Sequence, residues 1–161
     1  MGWTVKPLIT VPYLHRFDVC RIGGKLFFVG ATLCLFKESK EDWTKPGSVY
    51  VGELPETFDG PFPIRPVLGG INKNHGFCRG SWNSRPAYLV SGHEGVFAVY
   101  LPESPDGEWK TERILDHEVS DIAVCDIDGD GRLELAAIEP FHGSRGVIYK
   151  ERSGKDRKSV V

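Results

Sequence analysis

Three stretches of this chain open alike and then run through the same succession of elements. They are His15-Arg-Phe-Asp-Val-Cys20, His75-Gly-Phe-Cys78 and His117-Glu-Val-Ser-Asp-Ile-Ala-Val-Cys125. A turn follows each, at Ile22–Lys25, Asn83–Pro86 and Asp128–Gly131. Second apolar runs come next, at Leu26–Leu35, Ala87–Ser91 and Leu133–Ile138, and third ones at Ser48–Leu54, Val96–Leu101 and Val147–Lys150. Fourth runs stand at Pro63–Leu68 and Trp109–Leu115, and Asp156–Val161 is the candidate in the last unit. The first interval is longer because of an insertion, Phe36–Gly47, and a loop, Glu53–Phe62. Such recurrence constrains a fold strongly, because each unit must bury its apolar face against its neighbours.

Four short strands repeated every 40–50 residues or so describe the blade of a β-propeller. A β-sandwich explains the strand count equally well, but not the recurrence of His, strand, turn and strand in one order. Composition agrees: 19 Gly and 11 Pro suit many strands joined by tight turns, and no amphipathic helix of three turns is found. The expected fold is all-β, a partial β-propeller of three four-stranded antiparallel blades from a larger ring, with seven as the candidate total. Residues 1–14 are expected to be an outer strand of a neighbouring or closing blade, because Trp3–Ile9 resembles Trp109–Leu115. Blade one then covers 15–70, blade two 71–115 and blade three 116–161. Three blades do not close a ring, since propellers have about four to eight. The remaining blades of a longer chain, or a second copy of this one, are the expected partners at the open edges.

Asp126-Ile-Asp128-Gly-Asp130-Gly-Arg132-Leu-Glu134 has the composition of a calcium loop. Hard cations take six to eight oxygens, and alternating acidic residues with glycines between them can curl to supply several. Asp126, Asp128, Asp130 and Glu134 offer carboxylates and Arg132 its main-chain carbonyl. An EF-hand needs a Glu at the twelfth position, which is Ala137 here, so that motif is excluded. The loop between two strands instead resembles that of the FG-GAP/VCBS-repeat β-propellers, DxDGDGxxE. The resemblance is specific in blade three. Blades one and two have Gly23-Gly24 and Asn83–Pro86 at the equivalent turn, without acidic ligands. A structural Ca2+ in blade three is what the resemblance implies.

In a blade, the entry to the first strand and the loop between the second and third strands share one face of the disk. His15, His75 and His117 fall at strand entries and His93 and His142 in such loops, so all five histidines map to one face and the acidic loop to the other. Imidazoles are the usual acid/base groups near neutral pH and common metal ligands. His15, His75 and His142, with Arg16 for an anion, are the candidate catalytic residues. Arg79 and Arg145 are further candidates for anion recognition. The insertion brings Lys37, Lys40, Asp42 and Trp43 to the same side, with Trp43 as a platform for a sugar ring or other flat ligand. Three convergent histidines also leave a transition-metal site open as a reading.

The net charge of −2 gives no case for nucleic acid or an anionic membrane as partner, and the basic run Lys150–Lys158 is interrupted by Glu151 and Asp156. No secretory signal or membrane-length apolar stretch is seen. Cys20, Cys34, Cys78 and Cys125 lie in strand-like runs without a CxxC pair and are expected to be buried free thiols. Both points favour a cytoplasmic protein. Propellers that this chain resembles include polysaccharide lyases and sugar dehydratases using His, Tyr and Arg on the channel face. A carbohydrate is therefore the implied ligand if the chain is an enzyme. A non-catalytic scaffold that displays loops to glycans or proteins is the alternative.

Overall fold

In the computed structural model, residues 2–150 are described. They form eleven β-strands, and among them there is no helix, hence none long and apolar enough to cross a membrane. The first sheet holds β1 (Leu14–Ile22), β2 (Lys25–Thr32), β3 (Gly47–Glu53) and β4 (Arg65–Ile71), hydrogen-bonded in that order. The second repeats the meander with β5 (Phe77–Trp82), β6 (Arg85–Gly92), β7 (Gly95–Tyr100) and β8 (Lys110–Leu115). The third contains β9 (Asp121–Cys125), β10 (Glu134–Glu139) and β11 (Arg145–Tyr149). The candidate fourth strand at 156–161 lies outside the described residues.

Tight turns fix the hairpins. Gly23 and Gly24 take φ of 53° and 87°, and Asn83 and Ser84 take 50° and 58°, as a two-residue hairpin turn of the right hand requires. Alternation along each strand then sends successive side chains to opposite faces. Cys20, Phe27, Val29, Ala31, Val49 and Val51 of blade one meet Tyr88, Val90 and Val99 of blade two in one buried cluster. Ala87, Leu89 and Ala98, from the other face of blade two, meet Ile122, Leu135, Ala137 and Val147 of blade three in a second. Each fully buried Val or Leu contributes roughly 1.5–3 kcal/mol, so these two layers hold the stack of blades together.

Both clusters share one arrangement: the face a blade turns to its successor, its front, packs on the back of the next. Close approach at the innermost strands depends on glycine. A Cβ on Gly76 would stand 3.0 Å from the Ile122 backbone nitrogen and 2.8 Å from its side chain.

The back of blade one has a different cover. Phe28, Leu54 and Phe62 are buried there together, with Leu8, Ile9, Leu14 and Ile64 packed against them. The segment at Phe62–Ile64 runs so close over β3 that a Cβ on Gly52 would stand 2.5 Å from the Pro63 carbonyl oxygen. Phe17 stacks on Phe28 but stays 64 % exposed. Within residues 1–14, expected to be an outer strand, positions 2–11 hold no regular secondary structure. Pro7 lacks an N–H for a ladder, and Leu8 and Ile9 serve as a cap.

Register also revises the third repeat. Ile122 pairs with Ala137 and faces blade two, as Phe77 pairs with Val90 and faces blade one. Two residues before each stand Ser120 and His75, and two before Phe17, which pairs with Gly30, stands His15. Ser120, not His117, is therefore the blade-three counterpart of the two histidines. All four cysteines are free, and Cys20 and Cys34 are buried. Cys125 is exposed, against expectation, because it lies on the front of β9, where the described residues place no further blade.

Candidate functional site

All five histidines lie at one end of their strands, as the topology requires, but only three come together. The rings of His15 and His75 have centroids 4.6 Å apart, and those of His75 and His142 4.9 Å apart. Phe141 completes the group, edge-on to His75 at 4.8 Å and stacked on His142 at 4.2 Å. Among the described residues, the one group with three ligand atoms within 4.8 Å of one another is acidic, Asp126, Asp128 and Asp130. The imidazoles stack and tilt; their nitrogens do not meet at a point.

Each histidine is aimed by its backbone neighbourhood. His15 Nδ1 lies 2.6 Å from the Asn74 carbonyl oxygen. A carbonyl only accepts, so Nδ1 carries the hydrogen and Nε2 is left as the acceptor of the neutral ring. Asn74 is fully buried, and its amide donates to the carbonyls of Gly76 and Ser91 at 3.0 and 2.8 Å, fixing the entry to β5 beneath His75. His142 sits in the tight β10–β11 loop at φ 52°, and its N–H donates to Ser120 Oγ at 3.3 Å. Ser120 thus holds His142 at the place where blades one and two have their own histidines.

Arg16 Nε donates to the His75 carbonyl at 2.8 Å, which fixes a guanidinium beside the cluster. The pKa of His75 is held below its ordinary value, by burial first and then by His15, His142 and Arg16, with Asp121 opposing. The imidazole at the centre of the group is consequently biased toward its neutral form.

The other two histidines are engaged elsewhere. His93 Nδ1 lies 2.8 Å from Glu118 Oε1, to which Lys73 Nζ also donates at 3.2 Å. His117 Nε2 is 3.0 Å from both Glu139 Oε1 and the Tyr149 hydroxyl. Tyr149 also donates to Glu139, and burial together with that contact drives its pKa upward.

The insertion is rigid in part. Asp42 accepts from the N–H groups of Glu38 and Thr44 and from the Thr44 hydroxyl, and these bonds pull its pKa down to about 2. Trp43, expected as a platform, has the Lys37 ammonium 2.9 Å from its ring centroid. Lys73 stands 5.6 Å from the same ring and 5.2 Å from that of Phe141, linking the insertion to the histidines. Arg79 is not on this face: it lies 3.5 Å from Asp18 and 3.4 Å from the Val19 carbonyl, between blades one and two. Arg145 lies 3.7 Å from Glu139, beside His117. Sequence reasoning missed Asn74, Ser120 and Lys73. The polar run Asn72-Lys73-Asn74 just before His75 was the available signal for two of them.

At the other end of the strands, the β9–β10 loop closes on itself. Asp126 accepts from the N–H groups of Gly129, Asp130 and Gly131 at 2.7, 3.1 and 2.9 Å. Gly129 and Gly131 adopt φ of 76° and 84°, open to glycine at no steric cost. Glu134 Oε2 accepts from the Ile127 N–H at 2.8 Å, while its buried Oε1 has no hydrogen-bond partner. An orphaned buried carboxylate oxygen beside three clustered aspartates is the donor set a hard cation fits. Lys150 Nζ contacts Asp128 and lies 2.8 Å from Asp130 and 3.5 Å from Glu134. Its bonds to Asp128 and Asp130 raise its pKa, and Lys150 holds the carboxyl of Asp130 below the usual range.

No curated protein and no solved structure matches the chain. Residues 119–149 match the family model described as the FG-GAP repeat. The matched span holds β9, the acidic loop, β10 and β11. Blade three thus bears the FG-GAP repeat signature, and the all-β architecture built around it is that of a β-propeller.

Proposed function

We propose that this chain is a propeller scaffold whose histidine face binds an acidic carbohydrate, a uronate-bearing glycan being the class that suits it. The observation that supports the reading is the union of His15, His75 and His142 beside Arg16, from segments far apart in sequence. A guanidinium is the side chain best matched to a carboxylate. The aromatic edge at Phe141 and the Lys73 ammonium add an apolar surface and a second positive charge.

One observation favours chemistry at the same place. His75 is biased to the neutral form, which is the form a general base needs. With the uronate carboxylate on Arg16, His75 would take the proton beside the carboxylate. The glycosidic bond on the next carbon then breaks as the double bond forms, and His142 would be the group placed to hand a proton to the departing oxygen. The alternative is binding without turnover.

The test is titration of the full chain with oligouronates and neutral oligosaccharides, with ultraviolet detection of the unsaturated product. Selective binding of the acidic series, weakened about tenfold or more in Arg16→Ala, supports the reading. Equal affinity for both series ends it. Product that disappears in His75→Gln marks a lyase; binding without product marks a scaffold.

For the acidic loop, the proposal is a structural Ca2+ held by Asp126, Asp128, Asp130 and Glu134 with the Arg132 carbonyl. Such an ion would supply positive charge to the converging carboxylates and stiffen the β9–β10 turn, remote from the histidines. Calcium should raise the melting temperature of the chain, and Asp128→Asn should abolish that rise. A melting temperature indifferent to calcium would remove the site.

A further inference from the structure

We propose that Lys150 is a built-in cation of the Asp126–Glu134 loop, which a calcium ion must displace in order to bind. The inference rests on the calcium reading of that loop and concerns the chain's own competitor for it.

Lys150 reaches the loop by register. Leu135 of β10 pairs with Tyr149 of β11, so the next residue, Lys150, falls beside Glu134 across the sheet. Glu134 in turn pairs with Cys125, directly before the loop begins. The ammonium therefore arrives where three strands end. It contacts Asp128 Oδ2 and stands 2.8 Å from Asp130 Oδ2 and 3.5 Å from Glu134 Oε1. These are oxygens from three of the four carboxylates that a cation in the loop would use.

Two features make this more than a surface ion pair. Glu134 is 2 % exposed, and its Oε1 is buried without a hydrogen bond while pointing toward the ammonium. A buried carboxylate oxygen without a donor is costly, and a nearby positive charge offsets that cost. Asp126 already accepts from three backbone N–H groups, so the loop is curled with Lys150 in place. The lysine substitutes for the missing charge rather than for the missing shape.

Calcium and the ammonium cannot share these oxygens. Calcium draws its ligands to about 2.3–2.6 Å, and the ammonium already lies at hydrogen-bond distance from Asp130. Binding must then release Lys150, and the repulsion between the two cations remains afterward. When a competent state is populated about one-tenth of the time, apparent affinity falls about tenfold. A loop of this composition would thereby be tuned to a higher range of calcium concentration.

The experiment is calcium titration calorimetry on the full chain, as wild type, Lys150→Met and Lys150→Arg, paired with thermal melts in chelator and in saturating calcium. Lys150→Met should bind about tenfold tighter than wild type, and Lys150→Arg should not. The melts should cross: Lys150→Met below wild type in chelator and level with it or above it in calcium. A Lys150→Met chain that folds only with calcium is the limiting form of that result. Equal affinities for Lys150→Met and wild type would overturn the competition while leaving the calcium site intact. Absence of binding in every variant would overturn the site itself, and the competition with it.

Discussion

The imidazoles of His15 and His75 stand 4.6 Å apart at an interplanar angle of 42°, one in β1 of the first blade and the other just ahead of β5 in the second. Two like charges at that distance repel, and His142 and Arg16 add to the repulsion, while burial already disfavours the charged form of His75.

A pH dependence follows, with a definite sign. The folded pKa of His75 lies below the ordinary histidine value of 6.5, so the unfolded chain binds more protons as pH falls through that value. Stability is then unaffected by this group above about pH 8 and is lost as pH falls from 6.5 through the folded pKa. Urea denaturation of wild type and His75→Gln across that range checks it: the variant should show a shallower loss on acidification. Parallel curves would mean that His75 titrates as it does in the unfolded chain.

Asn74 is the hub under the histidines. Asn74→Ala removes two buried amide hydrogen bonds, leaves the Gly76 and Ser91 carbonyls short of a donor, and should cost about 2 kcal/mol. The loss should also blur the geometry of His15 and His75. Chemical-shift changes at both rings, seen by NMR together with the lower urea midpoint, are the expected result.

Between blades one and two, the Tyr88 hydroxyl donates to Asp18 Oδ2 at 2.8 Å from a fully buried ring. Tyr88→Phe keeps the packing against Phe77 and loses that bond. The expected cost is about 1 kcal/mol, read from denaturant melts with unchanged m-value. A cost near zero would mean that water and Arg79 satisfy Asp18 equally well without it.

Gly52 tests the cap on blade one. A branched side chain at Gly52→Val collides with the Pro63 carbonyl and with Phe62 and Ile64, so the covering segment must move. Destabilisation of about 1–3 kcal/mol is expected, with faster proteolysis confined to residues 55–64. Cleavage spread evenly over the chain would show that the segment is not an independent cover.

Much of the stack was legible in the residues. The continuous apolar runs around Val29 and Leu89 mark strands buried on both faces, and Gly23-Gly24 and Asn83-Ser84 mark their hairpins without ambiguity. The third histidine misleads because the apparent repeat begins at His117, whereas the ladder is set by Ile122 and Ala137. Aligning Cys125 with Cys20 would have placed Ser120 beside His15. Trp3–Ile9 looked like a strand from its apolar spacing, which says nothing about whether an edge is at hand to pair with it. The grouping of His142 with His75 was visible only as membership of one face, and Lys150 over the aspartates not at all. Both depend on distances across sheets, which no local pattern encodes.

The cover over the back of blade one gives the stack of sheets a polarity. Addition of like units front to back needs a bare front and a bare back, and Phe28 lies under Phe62 with Leu8 and Ile9 beside it. One end is blunt over its second and third strands. The same few residues that fill a local hydrophobic gap also make the two ends of the described stack unlike, one roofed by the chain's own segment and the other not.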